Sequence, residues 1–317
     1  RKEQRYTSIF DLVKRIDLRA ANKKAFENLV LAGGFDSFLN VNRSQYLNPD
    51  GDGVTFLEKV LRFGAKYQEN LNSSQTSLFS EETTNTYQDL TIPTCEPWTN
   101  LTRLKKEKEV VGIYISSHPL DDFTHEIDHF VNITLNQIGD LNDFLRKELN
   151  IGGIVNDIQH LESRNGKGWA RFVLEDFTDQ YEFRIFGEDY LKYRHFLVVN
   201  QFIRIRIMIR EGWTNRETGK VGAPRMQYLQ FEMLQNTVEN NAKKLTLQLE
   251  ISQLEQDKIK QLEDDLRLFK GDNQLMFNVY DSNKKVKLAL KSKKQKIKIT
   301  SELLTLLDKN NWQYKLN

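Results

Sequence analysis

The sequence predicts a multidomain α+β fold, and three observations carry that expectation. An N-terminal stretch keeps helical spacing up to a glycine pair, a central stretch alternates apolar and polar residues as strands do, and a tail mixes both periods. With 317 residues the chain is long enough for several cores rather than one. Its formal net charge of +2 excludes a bulk polycation, so attraction to an acidic partner has to come from local patches. The single cysteine, Cys95, excludes an internal disulfide and a multi-thiolate zinc site and fits a reducing compartment. With no apolar run of membrane-spanning length and no secretory leader, a soluble, cytoplasmic protein is expected. The start at Arg1 rather than at methionine suggests a piece of a longer protein.

From Ser8, an N-cap residue type, Ile9, Leu12, Val13 and Ile16 keep helical spacing, and a second helix follows with Ala25, Phe26, Leu29 and Val30. It ends at LAGGFDSF, where Gly33 and Gly34 supply the backbone freedom for a stop and a turn. Two readings fit that turn: a plain C-cap, and a helix-hairpin-helix unit whose backbone N–H groups grip duplex phosphates without reading sequence. Residues 1–69 are read as such a helical, duplex-binding region. NPDGDGVTFLEK then sets Asn48, Asp50 and Asp52 on the first three places of a calcium loop, but Lys59 stands where a bidentate carboxylate is required. A surface loop ahead of the helix FLEKVLRFGAKYQEN is the better reading.

Residues 70–100 are polar and rich in Ser, Thr and Asn, the composition of a linker. Inside it, SQTSLFS sets Leu78 beside Phe79 with nothing local to pack on. That suits a peptide docking into another protein's pocket with Gln75 at the rim, or an apolar pair folding back on its own domain. Residues 101–149 form a connecting helical segment, in which His125, Glu126 and His129 spell H-E-x-x-H. This is the zinc-hydrolase pattern of two ligands one turn apart around a general base. No third ligand is evident, and Phe123, Ile127 and Phe130 more simply describe a helix packed by its apolar face.

Within 150–235, strand-type alternation runs from Trp169 to Leu174, from Tyr181 to Phe186 and from Gln201 to Arg210. EDFTD makes the first two a hairpin, and GEDYLKYRHFL suits one short helix before the third. An earlier strand at Ile151 to Ile158 and a last one at Met226 to Phe231 complete the order strand, strand, strand, helix, strand, strand. That is the order of a five-stranded OB-fold β-barrel, which carries oligonucleotides on its second and third strands. On the long strand Ile203, Ile205, Ile207 and Ile209 face the core, leaving Arg204, Arg206, Met208 and Arg210 outside. With Lys167, Trp169 and Arg171 on the second strand and Arg184 on the third, the outer face combines charge with an aromatic ring, as single-stranded nucleic acid requires. The same pattern also describes ordinary solvated arginines and a rim tryptophan.

NTVENNAKK reads as a polar connector, and residues 242–317 as a small α/β domain. LTLQLEI is a strand, SQLEQDKIKQLEDDLRLF an amphipathic helix capped by Ser252, and GDNQLMFNVYD another strand. VKLALKSKKQKIKI gives one or two more, ahead of the helix TSELLTLLDKN and a closing WQYKL. Lys284, Lys285, Lys287, Lys291, Lys293, Lys294, Lys296 and Lys298 form a run with no acid inside it. Such a run is a solvated edge strand kept from aggregating, or a contact to phosphate or an acidic partner.

Taken together, LRAANKKAFENLVLAGGFDSF, SQTSLFS, EKEVVGIYISSHPLDDF, GKGWARFVLEDFTDQYEFRIFGEDYLKY and GDNQLMFNVYD resemble the C-terminal part of the bacterial DNA polymerase III alpha subunit. The order of parts is that of the type whose OB-fold follows the polymerase core, and EKEVVGIYISSHPL is the most specific stretch. The resemblance implies that Gly33 and Gly34 lie in a duplex-gripping hairpin, where the family more often has Gly-Ala. It implies that Gln75, Leu78 and Phe79 are the sliding-clamp motif, that the barrel holds single-stranded template, and that the last domain contacts the clamp loader. His118 and Pro119 then read as structure. The palm aspartates that hold two magnesium ions in the family are absent, so no polymerisation and no cofactor are expected of this segment, magnesium belonging to the parent polymerase. Two other function classes stay open: a tRNA-binding OB module of a synthetase, and an H-E-x-x-H zinc hydrolase.

Overall fold

Short helices with side-chain caps begin the chain. In α1 (Ile9–Arg15) Ser8 accepts a hydrogen bond from the Asp11 N–H, and in α2 (Lys23–Leu31) Asn22 accepts one from Ala25. Asn42 and Gln45 form a reciprocal capping box on α3 (Arg43–Leu47). α4 (Phe56–Asn72) and α5 (Asn100–Val111) follow, the latter stopped by Gly112 in the left-handed conformation. The computed structural model describes residues 5–38, 41–72, 90–214, 218, 220–293 and 295–317. The chain divides into two units, one reaching to Pro119 and one from Leu120 to Asn317. In the first, the apolar positions with helical spacing close around Val13, Phe26, Val30, Tyr46, Leu57 and Val60. The loop ahead of α4 is tied by an ion pair: the Lys59 ammonium lies 2.5 Å from Asp50 Oδ2. That contact, with the Val54 and Asp52 N–H groups, holds the Asp50 carboxyl down at about 2.

The second unit begins with α6 (Thr124–Phe130) and continues into five strands: β1 (Glu148–Glu162), β2 (Gly168–Glu175), β3 (Gln180–Phe186), β4 (Phe202–Arg210) and β5 (Arg225–Met233). Their spatial order is β3-β2-β1-β4-β5, every neighbour antiparallel. β1 is long because it serves two partners, pairing with β4 over Glu148 to Ile154 and with β2 from Ile154 to Glu162. The register shifts between Val155 and Asp157, where β1 passes from one partner to the other. A Cβ on Gly153 would stand 2.4 Å from the Glu175 carbonyl oxygen, so this approach of β2 requires glycine. The helix α7 (Gly187–Tyr193) lies between β3 and β4, as expected. Ile151, Phe172, Phe183, Ile185, Ile203, Ile205, Ile207 and Ile209 are the buried centre.

The closed barrel is not formed. Among the described residues β3 and β5 do not pair, and the sheet is open. Tyrosine hydroxyls hold carbonyls of β3 and β5 instead: Tyr228 donates to Arg184 at 2.9 Å, and Tyr193 donates to Leu229 at 2.8 Å. Burial pushes the Tyr228 phenol far up, so it stays a donor.

The stretch read as a polar connector contains a further helix, α8 (Thr237–Asn241), in which Thr237 and Val238 are fully buried. Beyond it lie β6 (Lys244–Glu250), α9 (Gln256–Leu268), β7 (Lys270–Asp281), β8 (Val286–Lys291), α10 (Ser301–Lys309) and β9 (Gln313–Leu316). Their sheet has the order β8-β7-β6-β9, parallel only between β6 and β7. Ser252 does not cap α9; it sits in a short turn and donates to Glu250, and the helix starts after Glu255. Leu245, Leu247, Leu262, Leu266, Leu303, Leu304 and Leu307 form this core, and Phe130 of α6 packs against it.

Candidate nucleic-acid interface

The outer face of β2 and β3 arranges its side chains in rows fixed by register. Leu161, Trp169 and Phe186 face one another across β1, β2 and β3. The next row is Gln159, Arg171 and Arg184, and behind it come Asp157, Val173 and Glu182. The Trp169 and Phe186 rings are stacked, and Phe186 is 57% exposed. Arg171 and Arg184 both lean on Glu182, at 3.2 and 2.9 Å. Lys167 is exposed in the β1–β2 turn just before Trp169. Trp169, Arg171 and Arg184 thus share the outer face of β2 and β3, with Lys167 exposed in the turn that leads into it.

It does not bring Arg204 and Arg206 into that set. Arg204 is 6% exposed and paired with the equally buried Glu232, with Asn150 Oδ1 at 2.8 Å. The reason is what lies over the strand. The outer face at Gly152 and Arg204 is covered by Ile127 and Val131, with the Phe130 ring 5.9 Å from the guanidinium, and Asn241 of α8 donates to Glu232. Arg206 is held between Glu148 at 2.8 Å and Gln230 at 2.9 Å, and Arg210 donates to Gln227. The cationic outer face expected on β4 is thus largely neutralised by its neighbours on β1 and β5.

Two aromatic residues escaped the sequence reading. Phe186 has the same strand parity as Arg184, which was signal enough. Trp213, in the β4–β5 connection, is 78% exposed with the Arg225 guanidinium 4.5 Å from its ring centre. No periodicity marks a residue in an irregular loop.

In the first unit Gly33 has φ +81°, and a Cβ there would stand 2.2 Å from Arg43 Nη2. The Gly33 N–H donates to Val30 and the Gly34 N–H to Leu29, so both amides are used in ending α2. Behind the turn, Arg43 donates to Asp36, to the Leu31 carbonyl and, at 2.7 Å, to Glu107. Glu107 is fully buried and also accepts from the Ser116 hydroxyl and N–H and from the Ile115 N–H. Desolvation pushes this carboxyl up, but the bonds from Ser116, Arg43 and Ile115 outweigh it and hold it down at about 2. Gln75, Leu78 and Phe79 lie outside the described residues, as does Lys294.

The H-E-x-x-H residues tie α6 to α10 and β9. Glu126 is buried and accepts from the Ser301 hydroxyl, while His125 lies 3.1 Å from Thr305 Oγ1 and 3.4 Å from the Tyr314 hydroxyl. Burial lowers the His129 pKa below its usual value. Among the described residues no group of three His, Cys, Asp or Glu is placed to hold a metal ion, and no helix is long and apolar enough to cross a membrane.

Comparison with known proteins adds identity at both ends of the chain. Residues 1–46 match the family model of the helix-hairpin-helix motif. Residues 245–317 match that of the DNA polymerase III alpha subunit, C-terminal domain. The DNA polymerase III subunit alpha of Borreliella burgdorferi is 29% identical over 207 residues, 64% of this chain and 17% of that protein. The Mycobacterium tuberculosis H37Rv protein of the same name is 30% identical over 192 residues, 60% of this chain and 16% of its own length. The chain thus spans less than a fifth of the curated relatives it matches. Among solved structures, a small single-stranded DNA-binding protein from Streptomyces coelicolor covers 28% of this chain and 94% of its own, at 10% identity and a TM-score of 0.16, too slight to bear on fold or function. The chain is a relative of the C-terminal part of the bacterial DNA polymerase III alpha subunit.

Proposed function

We propose that this chain is the DNA-handling tail of a replicative polymerase alpha subunit, and that its five-stranded sheet is an OB-fold holding single-stranded template. The observation that supports this is the ordered face on β2 and β3, an aromatic row beside an arginine row. A base stacked on Trp169 or Phe186 gains about 1 to 3 kcal/mol whatever its identity. Exposed ion pairs such as those to Glu182 contribute at most about 1 kcal/mol, so Arg171 and Arg184 can exchange the carboxylate for a phosphate at small loss. In this reading the region around Gly33 and Gly34 rests on primed duplex, and Gln75, Leu78 and Phe79 dock into the sliding clamp. The C-terminal domain faces the clamp loader. Each contact is weak, but linkage raises the effective concentration of the others to roughly the millimolar range. Polymerisation and its magnesium belong to the catalytic part of such a protein.

The test is titration of fluorescein-labelled oligo-dT with the chain over a range of salt. Saturable binding whose logarithm falls linearly with that of salt is expected. Failure to bind either oligo-dT or a primed duplex at low salt overturns the proposal, and so does a preference for folded RNA.

A further inference from the structure

At one edge of the C-terminal sheet, every residue of β8 is exposed. Val286, Leu288 and Leu290 share one face of the strand, with Leu288 at 55% exposure, and Lys287, Ala289 and Lys291 share the other. Register sets Leu290 beside Phe277 and Leu288 beside Val279 of β7, so these leucines carry the apolar face of the sheet out to its rim. From Ser282 to Ser301 the sequence contains no acid. Among the described residues Lys285, Lys287, Lys291, Lys293 and Lys296 make no ion pair, whereas Lys298 pairs with Glu239.

The backbone of β8 is open as well. Ser292 donates its N–H to Leu275, and in an antiparallel ladder this fixes the alternation. Leu290, Leu288 and Val286 direct their backbone groups at β7, while Lys291, Ala289 and Lys287 direct theirs outward. What can occupy such an edge is decided by charge. A second copy paired about Ala289 would set Lys287 opposite Lys291, and like charges directly opposite are destabilising. Single-stranded nucleic acid would find cations but no ring, since β8 has no aromatic residue.

We propose that β8 is the docking edge for an extended segment of a partner protein in which acidic and apolar residues alternate, added to the sheet as a further strand. Its apolar residues continue the row of Leu288 and Leu290, and its carboxylates lie beside Lys287 and Lys291. This stands apart from the DNA reading, which concerns the other sheet.

The probe is a fluorescein-labelled peptide of about eight residues, strand length, alternating glutamate with valine or leucine. Titrated with the whole chain, it is expected to bind. The double variant Lys287→Glu, Lys291→Glu is expected to bind about tenfold more weakly or worse. Ala289→Pro removes only an outward N–H, which edge strands tolerate, and is expected to abolish binding while leaving the circular dichroism spectrum and oligo-dT affinity unchanged. Should that variant not fold, the lysine pair decides. Absence of peptide binding, equal binding of a control peptide with lysine for glutamate, unchanged affinity in the lysine variant, or displacement of the peptide by oligo-dT each overturns the proposal. Loss of oligo-dT binding with peptide binding retained counts against the DNA reading alone.

Discussion

Trp169 and Phe186 stand opposite each other across the β2–β3 ladder, ring centroids 5.1 Å apart and planes 18° from parallel. A pair stacked at the rim of a sheet, with one member largely exposed, presents a flat surface to a base. Trp169→Ala and Phe186→Ala are each expected to reduce oligo-dT affinity by about 1 to 3 kcal/mol. Because the rings touch, the double variant should lose less than the sum. Fluorescence anisotropy measures both; affinities equal to the parent's place the nucleic acid elsewhere.

Arg171 and Arg204 separate binding from folding. Arg171→Ala should lower the salt slope of oligo-dT binding by about 0.7 for each phosphate that the guanidinium neutralises. Arg204→Met leaves Glu232 buried without its partner and should lower unfolding free energy by about 3 to 5 kcal/mol with the salt slope unchanged. Urea titrations and salt series on the two variants check this, and a changed slope for Arg204→Met would restore that residue to the interface.

The two glycines after α2 should behave differently. Gly33→Ala faces both a left-handed backbone and Arg43 Nη2 at 2.2 Å, and is expected to cost about 1 to 3 kcal/mol in urea unfolding. At Gly34 the nearest atoms to a Cβ are 3.2 Å away and φ is not positive, so Gly34→Ala should be clearly milder. Equal losses contradict the geometry.

Glu107 makes stability depend on pH in a definite direction. Its folded pKa, about 2, lies below its unfolded value, so its contribution is present above about pH 4.3 and is lost as pH falls toward 2. Glu107→Gln should therefore be less stable than the parent at neutral pH, with the difference shrinking across that acid range. Urea midpoints from neutral to acid pH test the sign.

Replacing Gln75, Leu78 and Phe79 together with alanine is expected to abolish binding to a sliding clamp and to leave oligo-dT binding intact. Surface plasmon resonance with immobilised clamp reads the first property, and unchanged clamp affinity removes the motif from the proposal.

Period-two alternation made β2, β3, β4 and β5 legible to within a residue or two, and the same arithmetic assigned Ile203 to Ile209 to the core. Alternation names a face without saying what lies upon it. Arg204 and Arg171 look alike in sequence, yet Glu232, Asn150 and Phe130 converge on the first from three separate segments, while the second faces outward beside Trp169. The short helix at Thr237 was hidden by its polar composition, since Val238 alone supplies the apolar anchor. The open seam was illegible for a related reason: the strand count fixes the order of β3 and β5 but not whether their edges come within pairing distance.

The carbonyl caught by the Tyr228 phenol belongs to Arg184, whose guanidinium stands in the basic row. A ladder would clamp this margin with many amides; here a buried phenol holds it. On the proposed role, stacking on the rings beside Arg184 accepts purine and pyrimidine alike, which is the indifference a copied template demands.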